Sequence, residues 1–227
     1  MPAPKPLELA DSRIRFPIAG FDEAAATRRI MRTKLEREEY AFYRSPKGAR
    51  AELILVQAPA NRPVAIARQS QMRRVAGHLD GWRFNAGGIS GMGETGEVGL
   101  GEKATLYYRT YGHTLANRGC VAFASAWGRP ANAGRGAVRA WLIGYVCAPG
   151  GKAPTEEEAA RLVDRIRVRP GPRRWSTPLT GEPAPALPET AGHTGYPFGY
   201  AKLRSLDTTF DSKEVKMQSK KLTAALT

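Results

Sequence analysis

Cysteine and histidine are almost absent from this chain. Among 227 residues there are two cysteines, Cys120 and Cys147, and three scattered histidines, His78, His113 and His193. Neither C-x-x-C nor H-E-x-x-H occurs, so zinc-type ligand sets have no local nucleus, and no metal is expected. No apolar run approaches the ~20 residues that a membrane-crossing helix needs. No basic start followed by an apolar stretch is found, so no signal peptide is expected in this numbering. The G-x-S-x-G elbow that presents a nucleophilic serine is missing, and no repeat longer than a few residues occurs. These absences lead to the expectation of a protein that is not an enzyme and uses no cofactor.

Negative charge is also scarce. Asp and Glu number 21 against 35 Lys and Arg, a formal net charge of +14. Residues 1–169 carry 22 Arg and only 5 Lys. A surface of this sign attracts phosphates, anionic headgroups or acidic proteins. It also keeps a protein soluble, and a GC-rich genome raises Arg usage by itself.

What is present reads as a leader, a body and an arm. Residues 1–20 open with Pro2, Pro4 and Pro6 and form an extended leader. The body spans 21–169. Its first segment, "GFDEAAATRRIMRTKLERE", reads as a helix capped by Asp22, with Ala26, Ile30, Met31, Lys34 and Leu35 near one face. "EYAFYRSPKGARAELILVQA" reads as a hairpin, since Ser45-Pro46-Lys47-Gly48 has Pro second and Gly fourth. "PVAIARQSQMRRVAGHL" reads as a second helix. Residues 86–101 hold seven glycines and read as a mobile loop or a wide hairpin connection. "ATLYYRTY", "CVAFASAW" and "VRAWLIGYVC" are three further strands. Then Thr155 and Glu158 form a capping box before a helical stripe of Ala159, Leu162, Val163 and Ile166. The fold class expected is α+β: an antiparallel sheet of about five strands packed against two or three helices. Residues 170–227 form the arm: seven prolines between 170 and 197, then a short basic terminal helix.

Several motifs invite a function and have a plainer reading. "GMGETG" (Gly91, Gly93, Gly96) matches G-x-G-x-x-G, but a strand follows it rather than a helix, and no carboxylate stands ~20 residues on. "RGCVAFASAW" opens like an RNA-binding strand but lacks alternating aromatics for stacking bases. "YYRTYGH" interleaves aromatics with Arg109 and His113, a nucleic-acid hint that an ordinary half-exposed strand explains as well. Glu36, Glu38 and Glu39 read as helix-end charges, as do Glu156 to Glu158.

Cys120 begins one expected strand and Cys147 ends the next. In an antiparallel pair those ends adjoin, so a disulfide is favoured over two independent buried thiols. A disulfide implies an oxidising compartment, the periplasm or beyond; reduced thiols imply the cytoplasm. The Pro-rich "PAPKP" suits the spacer behind a cleaved or lipidated start. The stretch "CVAFASAWG … WLIGYVCAPGGKAPTEEEAARLVDRIRV" resembles small bacterial exported or lipoprotein-type domains of unassigned function, which share a Cys–strand–Gly-Tyr-x-Cys–helix close. The resemblance covers residues 21–169 and implies an envelope location and no activity.

The functional expectation is therefore a non-enzymatic cell-envelope subunit that docks on a larger assembly. The partner surface expected is acidic or membrane-associated, with anionic lipid as a further candidate. Trp175, Tyr196, Phe198, Tyr200, Leu203, Leu206 and Phe210 would anchor the arm on it. The alternative is nucleic-acid or phosphate binding through a basic patch of Arg28, Arg29, Arg32, Arg68, Arg73 and Arg74, carried on the two early helices.

Overall fold

Alternation and continuous apolar runs build one large antiparallel sheet. In the computed structural model the described residues are 4–32, 36–59, 88–101, 104–128, 138–150 and 152–169. The strands are β1 (Lys5–Pro6), β2 (Ile14–Arg15), β3 (Thr27–Arg32), β4 (Arg37–Arg44), β5 (Arg50–Gln57), β6 (Ile89–Ser90), β7 (Thr95–Leu100), β8 (Ala104–His113), β9 (Arg118–Trp127), β10 (Ala140–Pro149) and β11 (Arg167–Val168). A single helix, α1 (Glu156–Val163), lies among the described residues. Nine strands form one sheet in the order β1-β3-β4-β5-β10-β9-β8-β6, with β7 also on β8; β2 and β11 make a separate pair.

The expected α+β arrangement of about five strands and two or three helices is thus corrected to a mostly antiparallel sheet with one short helix among the described residues. The first expected helix is instead a turn followed by β3 and the start of β4. Helix propensity is a weak prior that tertiary pairing overrides. Here Ile30 and Met31 go to opposite faces of the sheet, and the helical stripe that would unite them dissolves. The second expected helix, near 63–77, lies outside the described residues, as does the whole arm from Pro170 onward. Parts of the leader lie on the body: β1 pairs with β3, and β2 pairs with β11.

The hairpin and the three later strands form as the pattern predicts. Gly48 donates its N–H to the Ser45 carbonyl at 3.0 Å and closes the β4–β5 turn. Strands β4, β5, β9 and β10 are buried on both faces over most of their length. Short continuous apolar runs are the signature of that burial. One face gathers Ala41, Tyr43, Leu53, Leu55, Val121, Phe123, Leu142 and Val146 under α1, Ile14 and Phe16. The other gathers Tyr40, Ile54, Val56, Tyr111, Ala122, Ala124, Trp141, Ile143 and Tyr145.

The glycine-rich stretch, expected as a mobile loop or a wide hairpin connection, carries β6 and β7 along the edge of β8. Three of its glycines are needed for room, while Gly91 and Gly101 take positive φ of 55° and 68°. A Cβ at Gly88, Gly93 or Gly96 would overlap His113, Thr110 or Tyr108, side chains of β8 that lie across the neighbouring backbone. Two glycines of the G-x-G-x-x-G match are therefore explained by packing.

Helix α1 starts where its capping box places it. Glu158 N–H donates to Thr155 Oγ1 at 3.3 Å, and Thr155 N–H to Glu158 Oε2 at 2.9 Å. Ala159 and Val163 are its buried residues. Replacing Thr155 by Ala orphans the Glu158 N–H and is expected to lower stability by about 1 kcal/mol. Chemical denaturation reads this as a lower midpoint with an unchanged slope.

Candidate functional site

The two cysteines stand directly opposite each other in the β9–β10 register. They form a disulfide with a Cα–Cα distance of 4.1 Å. That separation belongs to the close, non-hydrogen-bonded kind of cross-strand pair, where side chains approach most nearly. Both residues are fully buried, and the Tyr111 hydroxyl lies 3.9 Å from Cys147 Sγ. The sulfurs staple neighbouring strands. No three His, Cys, Asp or Glu side chains gather into a metal-holding group among the described residues.

Beside the disulfide lies a buried polar cluster that the sequence-based expectations omit. Glu52 accepts hydrogen bonds from Tyr40 at 3.0 Å, from Tyr145 and from the Arg50 guanidinium. Arg50 Nε donates to the Tyr145 hydroxyl at 2.8 Å, and the guanidinium sits 4.8 Å from the centre of the Phe42 ring. Burial pushes the Tyr145 hydroxyl well above its ordinary pKa. It stays neutral, both donating and accepting. Three hydrogen bonds fill three of the roughly four lone-pair sites of this buried side chain and tie β4, β5 and β10 together. One signal for it exists in the sequence: Glu52 is a lone charge inside the apolar run "AELILV", and a buried charge demands partners.

On the opposite face Glu39 does related work. Fully buried, it accepts the backbone N–H of Arg13 at 2.8 Å and of Ile14 at 3.0 Å, and it pairs with Arg37 at 2.8 Å. It thereby fastens the leader to the sheet. Burial lowers Arg13 to about 10, with nearby Arg37 lowering it further and Glu39 opposing. Glu38, the preceding residue, faces the other way. It is buried and neither carboxyl oxygen has a hydrogen-bond partner. Burial first, and Glu36 second, raise its pKa to about 9.

The expected basic patch is only partly within the described residues. Arg28, Arg29 and Arg32 lie on a strand rather than a helix. Arg28 is buried, pairs with Glu23 at 2.7 Å and stacks on Tyr43, with its guanidinium carbon 5.3 Å from the ring centre. Strand alternation puts Arg29 on the opposite face from Arg28 and Arg32. The structure therefore does not bring these three together. Arg68, Arg73 and Arg74 lie outside the described residues, as do Trp175, Tyr196, Phe198, Tyr200, Leu203, Leu206 and Phe210. Arg109 and His113 share one face of β8, and His113 Nδ1 accepts the Ala116 N–H at 3.2 Å.

An open groove of about 840 Å³ lies at the end of β10, beside α1. Pro17, Ile18, Ala148, Pro149, Pro154 and Leu162 form its apolar surface; Lys152, Arg161 and Arg165 stand around it with Glu158. Arg109 and His113 are not part of it. No helix among the described residues is long and apolar enough to cross a membrane. No family model, curated protein or solved structure matches the chain.

Proposed function

We propose that the chain is a non-enzymatic accessory subunit of the cell envelope, located in an oxidising compartment and docked on a larger assembly. The single observation behind this reading is the buried Cys120–Cys147 bond between register partners. Structural disulfides persist in oxidising compartments and are rare where thioredoxin and glutathione keep thiols reduced. The net charge of +14 favours a partner whose surface is acidic or membrane-associated. The buried Glu52 and Glu39 clusters serve packing, which is consistent with a scaffold. The Pro-rich arm, with its spaced aromatic residues, is the proposed anchor.

Fractionation of source cells under alkylating, non-reducing conditions tests this. The expected result is a linked pair in the envelope fraction. Full-length protein carrying Trp175→Ala, Phe198→Ala and Phe210→Ala should shift towards the soluble part of that fraction. Alkylated Cys120 and Cys147 in the cytosol would overturn the assignment.

A further inference from the structure

We propose that the groove beside α1 is the docking site for an extended acidic segment of a partner protein, with Asp or Glu at alternate positions and proline or small residues between. This rests on the reading of the chain as a subunit with an acidic partner, and it names the place of contact. Three cations border the groove against one carboxylate, Glu158. That carboxylate is turned to the helix start, where it accepts the Thr155 N–H. Arg161 has a competing partner in Glu157 at 2.9 Å, but both side chains are largely exposed. Such a pair is worth little and exchanges readily.

The spacing favours an extended chain. Arg161 lies in the last turn of α1 and Arg165 in the tighter turn that follows it, where its N–H donates to the Leu162 carbonyl at 3.3 Å, so the two stand one turn apart, about 6–8 Å along the axis. Alternate residues of an extended peptide are about 6.6 Å apart. Two carboxylates on such a peptide therefore match two guanidinium groups, which recognise carboxylates in a bidentate way. Exposed Pro17 and Pro149 leave the groove open, so a chain can run through it. Ile18 and Leu162, both half-buried, offer apolar contact between the charges. No aromatic side chain lines it, so it has no platform on which bases would stack.

The walls are also fixed in advance. Ala148 and Pro149 directly follow the stapled Cys147. The Lys152 carbonyl presses on Gly119, where a Cβ would collide with it. Lys152 N–H also donates to the Gly150 carbonyl at 2.8 Å. A preformed groove spares the ordering cost of binding on the protein side.

Fluorescence anisotropy with a labelled Glu-Pro-Glu-Pro-Glu-Pro-Glu peptide and the purified full chain tests the proposal. Binding should weaken as salt rises. Combined Lys152→Glu, Arg161→Glu and Arg165→Glu should weaken it at least tenfold, while Lys47→Glu in the exposed β4–β5 turn should leave it within twofold. Equal losses from Lys47→Glu, normalised per charge, would reduce the effect to bulk attraction and overturn the site. So would peptide binding that ignores the three reversals, or no peptide binding at all. Capture of phosphatidylglycerol vesicles through the same three cations, without peptide binding, would assign the groove to lipid instead. The titration uses isolated protein, so a cytosolic, reduced protein would refute the envelope reading without touching this result, and a failed titration would leave that reading standing.

Discussion

Reduction of the Cys120–Cys147 bond is expected to lower the unfolding free energy by about 3–4 kcal/mol. The two residues are 27 apart in sequence, and the chain-entropy model assigns a loop of that size a stabilisation of this order. For a body of this size the melting temperature should fall by roughly 10 °C. The Cys120→Ser/Cys147→Ser double variant should reproduce the loss, with a further penalty if its buried hydroxyls find no partners. Calorimetry in matched oxidised and reduced buffers measures it. Both sulfurs are fully buried, so reduction has to wait for β9 and β10 to part. The native protein should therefore resist mild reductant and yield quickly in denaturant. A reduced protein as stable as the oxidised one would show that the bond decorates a sheet that holds without it.

That pairing is legible in the sequence because strand order and strand ends fix it. "CVAFASAW" and "WLIGYVC" are strongly patterned, and the Gly- and Pro-containing connection between them carries no helical pattern for a parallel crossover, which favours an antiparallel pair. The β4–β5 turn and the α1 capping box are legible for the same reason: each is decided by residues within four positions. Local pattern fails where long-range contact decides. Residues 21–39 carry good helix formers, yet the edge of β4 takes up 27–32 as β3, and Glu23 with Tyr43 neutralises and stacks Arg28. Glycine in 86–101 suggests freedom, yet Gly88, Gly93 and Gly96 are clearance for His113, Thr110 and Tyr108. The candidate site follows the same division. Glu36, Glu38 and Glu39 have the pattern of solvated helix ends, and all three are buried. The groove joins residues 17–19 to 148–165, a juxtaposition that no local pattern announces.

Glu38 carries the second large expected effect. In the register it stands between Met31 of β3 and Val56 of β5, neither of which offers it a hydrogen bond. The charged group that acts on it is Glu36, of like sign. The carboxyl is therefore neutral in the folded protein up to about pH 9, and ionised in the unfolded chain above about 4.5. Below 4.5 both states are protonated and the residue is without effect on the balance. As pH rises from there to 9, the folded state holds a proton that the unfolded state has released. Stability must then fall, with a limiting slope of about 1.4 kcal/mol per pH unit. At pH 7 the accumulated cost is on the order of 3 kcal/mol. Glu38→Gln keeps the shape and removes the titration. Its advantage over the parent should be near zero at about pH 4, clear at about pH 6 and larger again at about pH 8, as measured by urea unfolding at each pH. Parallel profiles for the two proteins would mean that Glu38 does not titrate in this window. A difference that grows with pH would identify Glu38 as a buried carboxyl that costs the fold stability as pH rises from mild acid to neutrality.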